Sequence, residues 1–263
     1  MKVTLLGTGA SAGVPMIGGA DGSGDWGACD PSEPRNRRSR SSIVIEGEDG
    51  RRLLVDTSPD MRGQLLDCRI PGIDAVLFTH AHADHITGID DVRILNRIAG
   101  RPLRAYGTEA TLAEITSRFG YAFKPWKPPH FFRPVLEPAV IAPGDVVEAA
   151  GLTVRVFIQN HGMVETLGLR IGRFGYSTDL VGLDEAALAA LEGVDTWVVG
   201  CFLRQGPHWT HADLPAVLAW VERLQPRRTV LTHMGTDMDW AWMQANLPPG
   251  VEPGYDGMVL TVA

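Results

Sequence analysis

The run Phe78–His85, FTHAHADH, constrains this chain more than any other stretch. It places His80, His82, Asp84 and His85 within six positions. These are side chains that transition metals take as ligands. A lone histidine has ordinary packing roles, but four ligand-type residues at this density point to a metal centre. The preceding run Ala75–Phe78 is apolar and β-rich, so the cluster follows a strand. Residues two apart in an extended segment face the same way, so His80 and His82 can share one ion. The chain must then turn, which sends Asp84 and His85 toward a second ion. Imidazole with carboxylate suits zinc, manganese or iron.

Four residues do not complete two sites, and three more occupy equivalent positions. His161 follows LTVRVFIQ, Asp179 follows Gly175–Thr178, and His233 follows Thr229–Thr232. Each sits just past an apolar strand, where loops gather into sites. Taken singly, each of the two histidines reads as a packed core residue. Their shared context argues for more.

Apolar β-rich runs recur at Val3–Leu6, Ser42–Ile45, Leu53–Val55, Ala75–Phe78, Leu152–Ile158, Thr196–Val199, Thr229–Leu231 and Met258–Val262. Helical spacing appears at Ile89–Ile98, Glu109–Phe119, Asp184–Leu191, Asp213–Leu224 and Met238–Asn246, with Asp184 and Asp213 placed as N-caps. Strands in runs, with helices between and after them, predict an α/β fold with sheets inside helical layers. Neither repeats nor a low-complexity linker divide the chain, so residues 1–263 read as a single domain. Gly18–Arg40 and Lys124–Pro138 read as loops. The opening GTGASAG lacks the Lys-Ser/Thr ending of a phosphate loop and the spacing of a dinucleotide fingerprint. It reads as a tight turn near the site.

The formal net charge of −7 does not give the basic footprint of a broad nucleic-acid binder. One run, Arg35–Arg40, holds four arginines: a solvated loop, or a rim that attracts an anionic substrate. Three scattered cysteines, Cys29, Cys68 and Cys201, imply no disulfide framework and fit a reducing cytoplasm. The N-terminus is too weakly apolar for a signal peptide, and no stretch reaches the roughly 18 apolar residues of a membrane helix.

The order H-x-H-x-D-H, then His, Asp and His, resembles the metallo-β-lactamase superfamily. The resemblance covers nearly the whole chain and implies an αββα sandwich. It implies two divalent ions, zinc or manganese. His80, His82 and His161 would hold the first, Asp84, His85 and His233 the second, and Asp179 would bridge them. The opening GTGASAGVP and the ending Thr232–His233, Trp242–Met243, Asn246–Pro248 and Tyr255–Met258 are similar to the phosphodiesterases of the phosphonate carbon–phosphorus lyase pathway, which open phosphoribosyl 1,2-cyclic phosphate. That likeness implies a small-molecule phosphodiester substrate, with Asp84 and His211 as catalytic residues. His211, of HWTHADL, would protonate the leaving group. Asp56, of LLVDTSPD, would orient a metal-bound histidine. Arg93 and Arg204 are candidates for the substrate anion.

Some members of that group carry a structural zinc on three cysteines and a histidine. Here only Cys29 remains, and the position three after His233 is Thr236, so no structural zinc is expected. Alternatives on the same scaffold are tRNA 3′-end processing, glyoxalase II-like thioester hydrolysis and a non-catalytic metal-binding protein. The tRNA nuclease typically inserts an arm between the fourth His and the bridging Asp. Here His161 and Asp179 are 18 positions apart, which leaves no room for one. A homodimer is left open.

Overall fold

The computed structural model describes residues 1–262. Six strands build most of a first sheet: β1 (Lys2–Gly7), β2 (Ser42–Glu46), β3 (Arg52–Val55), β4 (Ala75–Leu77), β5 (Leu103–Gly107) and β6 (Leu136–Val140). A second sheet follows: β7 (Val146–Ala149), β8 (Leu152–His161), β9 (Val164–Ile171), β10 (Phe174–Ser177), β11 (Thr196–Gly200), β12 (Arg228–Thr232) and β13 (Val251–Pro253). The last strand, β14 (Val259–Thr261), returns to pair antiparallel with β1. The orders are β14-β1-β2-β3-β4-β5-β6 and β13-β12-β11-β10-β9-β8-β7.

Side-chain alternation explains why the sheets stack. In β3, Leu53 and Val55 face the other sheet while Leu54 faces outward. In β11, Val198 faces inward while Trp197 and Val199 face outward. With both faces apolar, each sheet needs a partner on each side. The inner faces share one core, which includes Val3, Ile43, Val156, Leu169 and Val230. Helices α1 (Met61–Asp67), α3 (Val92–Ala99) and α4 (Glu109–Phe119) cover the outside of the first sheet. Helices α5 (Glu185–Leu191), α6 (Leu214–Leu224) and α7 (Trp240–Asn246) cover the second. This is the expected αββα sandwich.

Asp184 and Asp213 cap α5 and α6 through bonds to Ala187 N and Ala216 N. The segment expected to be one helix over Ile89–Ile98 begins as a 3-10 turn at Ile89–Asp91 before α3. The Lys124–Pro138 segment, expected to be loop, gives its last three residues to β6. Pro138 is tolerated there because β6 is an edge strand.

The Gly18–Arg40 loop is ordered by side-chain contacts. Arg35 pairs with Glu33, and Trp26, half-buried, lies under the Arg37 guanidinium at 5.0 Å. The deeper tie is Arg38, only 2% exposed. Its guanidinium donates to Met238 O at 2.6 Å and Asn36 Oδ1 at 3.1 Å, with Cys29 Sγ 3.9 Å away. Asn36 in turn donates to Asp239 at 2.8 Å. A buried cation and one carboxylate thus pin the loop to the start of α7.

Candidate metal centre

The parallel strands of both sheets end on one side of the sandwich, the usual place for ligands in open α/β sheets. Asp56 follows β3, His80 follows β4, His161 ends β8, Asp179 follows β10 and His233 follows β12. The short helix α2 (Ala83–Ile86) adds Asp84 and His85, with His82 at its extended N-cap. Gly88 lets this helix dock. A Cβ there would lie 2.1 Å from Ser58 O, and its amide donates to Thr57 O at 2.9 Å.

Three overlapping groups of ligand-type atoms form, the third being His161, Asp179 and His211. His80, His82 and His161 make the first; Asp84, His85, Asp179 and His233 make the second. Asp179 lies between the first two, 3.1 Å from His85 and His233 and 3.8 Å from His161. His211 stands over it, Nδ1 at 4.0 Å from Asp179 Oδ1, its ring 4.8 Å from those of His161 and His233. Trp209, almost fully exposed, is two residues away. Among the described residues Cys29 joins no such group.

A hydrogen-bond relay fixes the ring nitrogens. Asp56, wholly buried, accepts from Thr79 N at 2.8 Å, Thr79 Oγ1 at 2.7 Å and His85 Nδ1 at 2.7 Å. The Thr79 hydroxyl spends its hydrogen on Asp56, so it accepts from His80 Nδ1 at 3.0 Å. His161 Nδ1 donates to Thr210 O at 2.6 Å. These assignments leave Nε2 of all three rings as the acceptor, turned into the cluster. Nε2 of His80 and His85 and both ring nitrogens of His233 are buried without a hydrogen-bond partner. Buried orphans of this kind are costly unless a cation meets them, so the donor set fits divalent metal binding.

The electrostatics agree. Burial opposes charge on Asp84 and Asp179, but His233 and His85 outweigh it and hold both carboxyls well below the usual range. Burial also disfavours a charged His85, but Asp179 and Asp56 override it and raise the ring well above its ordinary value. Without metal, the carboxylates thus recruit a proton where a cation is wanted. His80 and His161 are pushed down, mainly by burial. Burial, reinforced by His233, lowers His211 to about 3, so its ring is neutral at pH 7.

Sequence reasoning missed Thr79 and Thr210, which act on the ligands. Of the anion-binding candidates, Arg204 stacks on Trp242 at 4.4 Å, and Arg93 is exposed on α3.

A β-lactamase superfamily domain model matches residues 51–234. A solved structure described as a new diphosphatase from the PhnP family superposes with a TM-score of 0.88 at 33% identity, covering 100% of this chain and 98% of that one. A curated octanoyltransferase of Porphyromonas gingivalis is 30% identical over 98% of this chain but only 51% of its own length. A ribonuclease Z of Mycobacterium sp. (strain KMS) is 26% identical over 97% of this chain and 94% of its own. The chain spans about half or less of the first curated relatives it matches.

Proposed function

Because the chain belongs to the metallo-β-lactamase superfamily, we propose that it is a dinuclear metal-dependent phosphodiesterase for a small, cyclic phosphodiester such as phosphoribosyl 1,2-cyclic phosphate. The observation that carries this reading is the bridging position of Asp179 between the two ligand groups, with His211 above it. Similarity over full length to a diphosphatase described as of the PhnP family supports hydrolysis at phosphorus.

His80, His82 and His161 would hold one ion, Asp84, His85 and His233 the other, and Asp179 both. Bound there, zinc or manganese supplies Lewis acidity that brings the pKa of water toward 7 and neutralises charge on phosphate oxygens. Asp56 keeps His80 and His85 in the ligating tautomer through the relay above. Asp84, with only 12% of its side chain exposed, would line the reacting face of the second ion from α2. His211, above Asp179, would face the leaving oxygen, where a protonated ring would give up its proton as negative charge builds.

Ribonuclease Z activity is the second reading, favoured by the full-length mycobacterial relative. Against it, the segment from His161 to Asp179 is filled by β9 and β10, with no projecting arm for tRNA. No helix among the described residues is long and apolar enough to cross a membrane. Assay of zinc- or manganese-loaded protein on ribose cyclic phosphates, bis(p-nitrophenyl) phosphate and precursor tRNA tests the reading. Turnover of the small esters is expected. Cleavage of the tRNA alone would replace this reading with the second.

A further inference from the structure

No hydrogen bond among the described residues holds the His211 ring. Asp179 Oδ1 stands 4.0 Å from its Nδ1, beyond hydrogen-bond reach. Other rings set its place. His161 and His233 lie 4.8 Å away, the His233 ring close to parallel at 26°. Phe202 lies at 5.0 Å and His208 at 5.1 Å, inclined at 37° and 34°. Phe202 and His208 also pair with each other at 4.9 Å. These are ordinary separations for rings in contact. His161 and His233 are candidate ligands, so Phe202 and His208 are the two neighbours left to serve His211 itself.

The backbone puts Phe202 there. It lies just past β11, and its amide donates to Ala212 O at 2.9 Å, next to His211 in the chain. Leu214 N donates to Leu203 O at 3.0 Å, which fixes residues 202–203 alongside 212–214. On its other flank, Phe202 O accepts from Gly235 N at 2.9 Å. Gly235 follows the ligand His233 by two residues, and its bare Cα makes room. A Cβ there would lie 2.9 Å from Phe202 O and 3.2 Å from Cε2 of the ring. The Phe202 ring therefore packs against the backbone that follows His233 and against His211. It contributes to no core. Phe202 is half-buried, and none of the three apolar clusters includes it.

We propose that Phe202, with His208 beside it, is the positioning residue for His211: its ring forms the wall that keeps the imidazole aimed at the leaving oxygen. The proposal rests on the phosphodiesterase reading, in which His211 serves the leaving group. The χ2 torsion of a histidine has broad wells, so without a hydrogen bond only packing selects one orientation. A general acid acts within hydrogen-bond reach of the atom it protonates. Misplacing a reacting group by about 1 Å can cost about 10²-fold.

The test is a double-mutant cycle of Phe202→Ala and His211→Ala in zinc-loaded protein, on aryl phosphodiesters whose leaving groups run from p-nitrophenol to phenol. Phe202→Ala should lower kcat for the phenyl ester about 10- to 100-fold and should lower it far less for the p-nitrophenyl ester, with KM little changed. In the His211→Ala background the same substitution should cost nothing further, since residues that act as a unit are not additive. Phe202→Tyr, which keeps the ring, should recover most of the loss. Elemental analysis should find wild-type zinc content throughout. Should Phe202→Ala fail to fold, Phe202→Leu, which keeps bulk but no flat face, takes its place with the same expected direction. Equal losses on every ester, or the same loss with and without His211, overturn the proposal. Should the wild type turn over none of these esters, the phosphodiesterase reading fails by itself, and positioning is read from NMR of carbon-13 histidine-labelled protein. His211 should give one sharp set of ring signals in wild type, broadened or doubled in Phe202→Ala. Unchanged His211 signals in the variant overturn it.

Discussion

Replacing Asp56 with Asn is the sharpest probe of the site, because it exchanges one heavy atom and replaces none of the candidate metal ligands. Asp56 has φ +64°, a conformation that Asn tolerates as well as Asp, so the backbone has no reason to move. Its Oδ1 must go on accepting from Thr79 N at 2.8 Å. The new Nδ2 therefore replaces Oδ2 and faces His85 Nδ1 and Thr79 Oγ1, each 2.7 Å from the original oxygen. A donor now confronts the His85 Nδ1 donor. The ring relieves this by moving its proton to Nε2, the atom turned into the cluster. The Thr79 hydroxyl likewise becomes an acceptor from Asn, turns its hydrogen toward His80 Nδ1 and shifts that tautomer too. One amide thus removes an acceptor lone pair from each ligand group. Loss of an outer-shell partner typically costs 10–100-fold in metal affinity, about 1.4–2.7 kcal/mol. Both ions should weaken by at least this factor. The assay is competitive zinc titration against a chelator of known affinity, with circular dichroism confirming the fold. Wild-type affinity for both ions in Asp56→Asn would refute the relay.

Four further outcomes follow from the geometry. Metal-reconstituted protein should carry close to two transition-metal ions per chain, about 3.5–4 Å apart as in other two-metal sites; elemental analysis and X-ray absorption check this. His211→Ala should slow esters of poor leaving groups far more than p-nitrophenyl esters, by about 10²–10⁴-fold for a general acid, which kinetics on a leaving-group series reads directly. Burial lowers His211 to about 3, below the ordinary histidine value of 6.5, so in metal-free protein its ring should stay neutral from pH 8 down to pH 5; nitrogen-15 NMR showing a midpoint near 6.5 would contradict that burial. Arg38→Met strands buried acceptors at about 1–3 kcal/mol each, whereas Cys29→Ser should cost roughly 1 kcal/mol and leave metal content unchanged; chemical denaturation and elemental analysis measure both.

Much of the site was legible because metal ligands are few in kind and dense in sequence. His80 to His85 announce themselves, and the shared position of His161, Asp179 and His233 past apolar strands brings the rest into register. Asp56 was reachable only through resemblance, since a single carboxylate after a strand carries no local signal. Thr79 and Thr210 were out of reach, because a common hydroxyl and a backbone carbonyl gain their roles from tertiary contact alone. The fold behaved similarly. Runs apolar on both faces, such as Leu53–Val55, read as strands at once, and Asp caps marked α5 and α6. Strand β6 was hidden by Pro138, a breaker everywhere except at an edge. Helix α1 was hidden by its seven-residue length and by Gly63. The arginine run could not be resolved from sequence, since pairing, stacking and burial distribute four chemically equal residues among different tasks.

The backbone itself argues that the centre is built before metal arrives. Among the described residues six non-glycine positions have positive φ, and three of them are Asp56 (64°), Asp179 (49°) and His233 (53°). Asp and His enter this region more readily than most residues, yet such positions still cost of order 1–3 kcal/mol each. Each stands just past the end of a strand, where continuing the extended path would carry its side chain past the cluster. The left-handed turn swings it back over the strand edge. The cost is borne by what surrounds these residues: β3, β10 and β12 are hydrogen-bonded on both sides in their sheets, and their apolar side chains lie in the three cores. Strain held by a packed core persists only where the surroundings over-determine it. Two candidate ligands, and the residue that hydrogen-bonds toward two more, are therefore fixed by the sandwich itself.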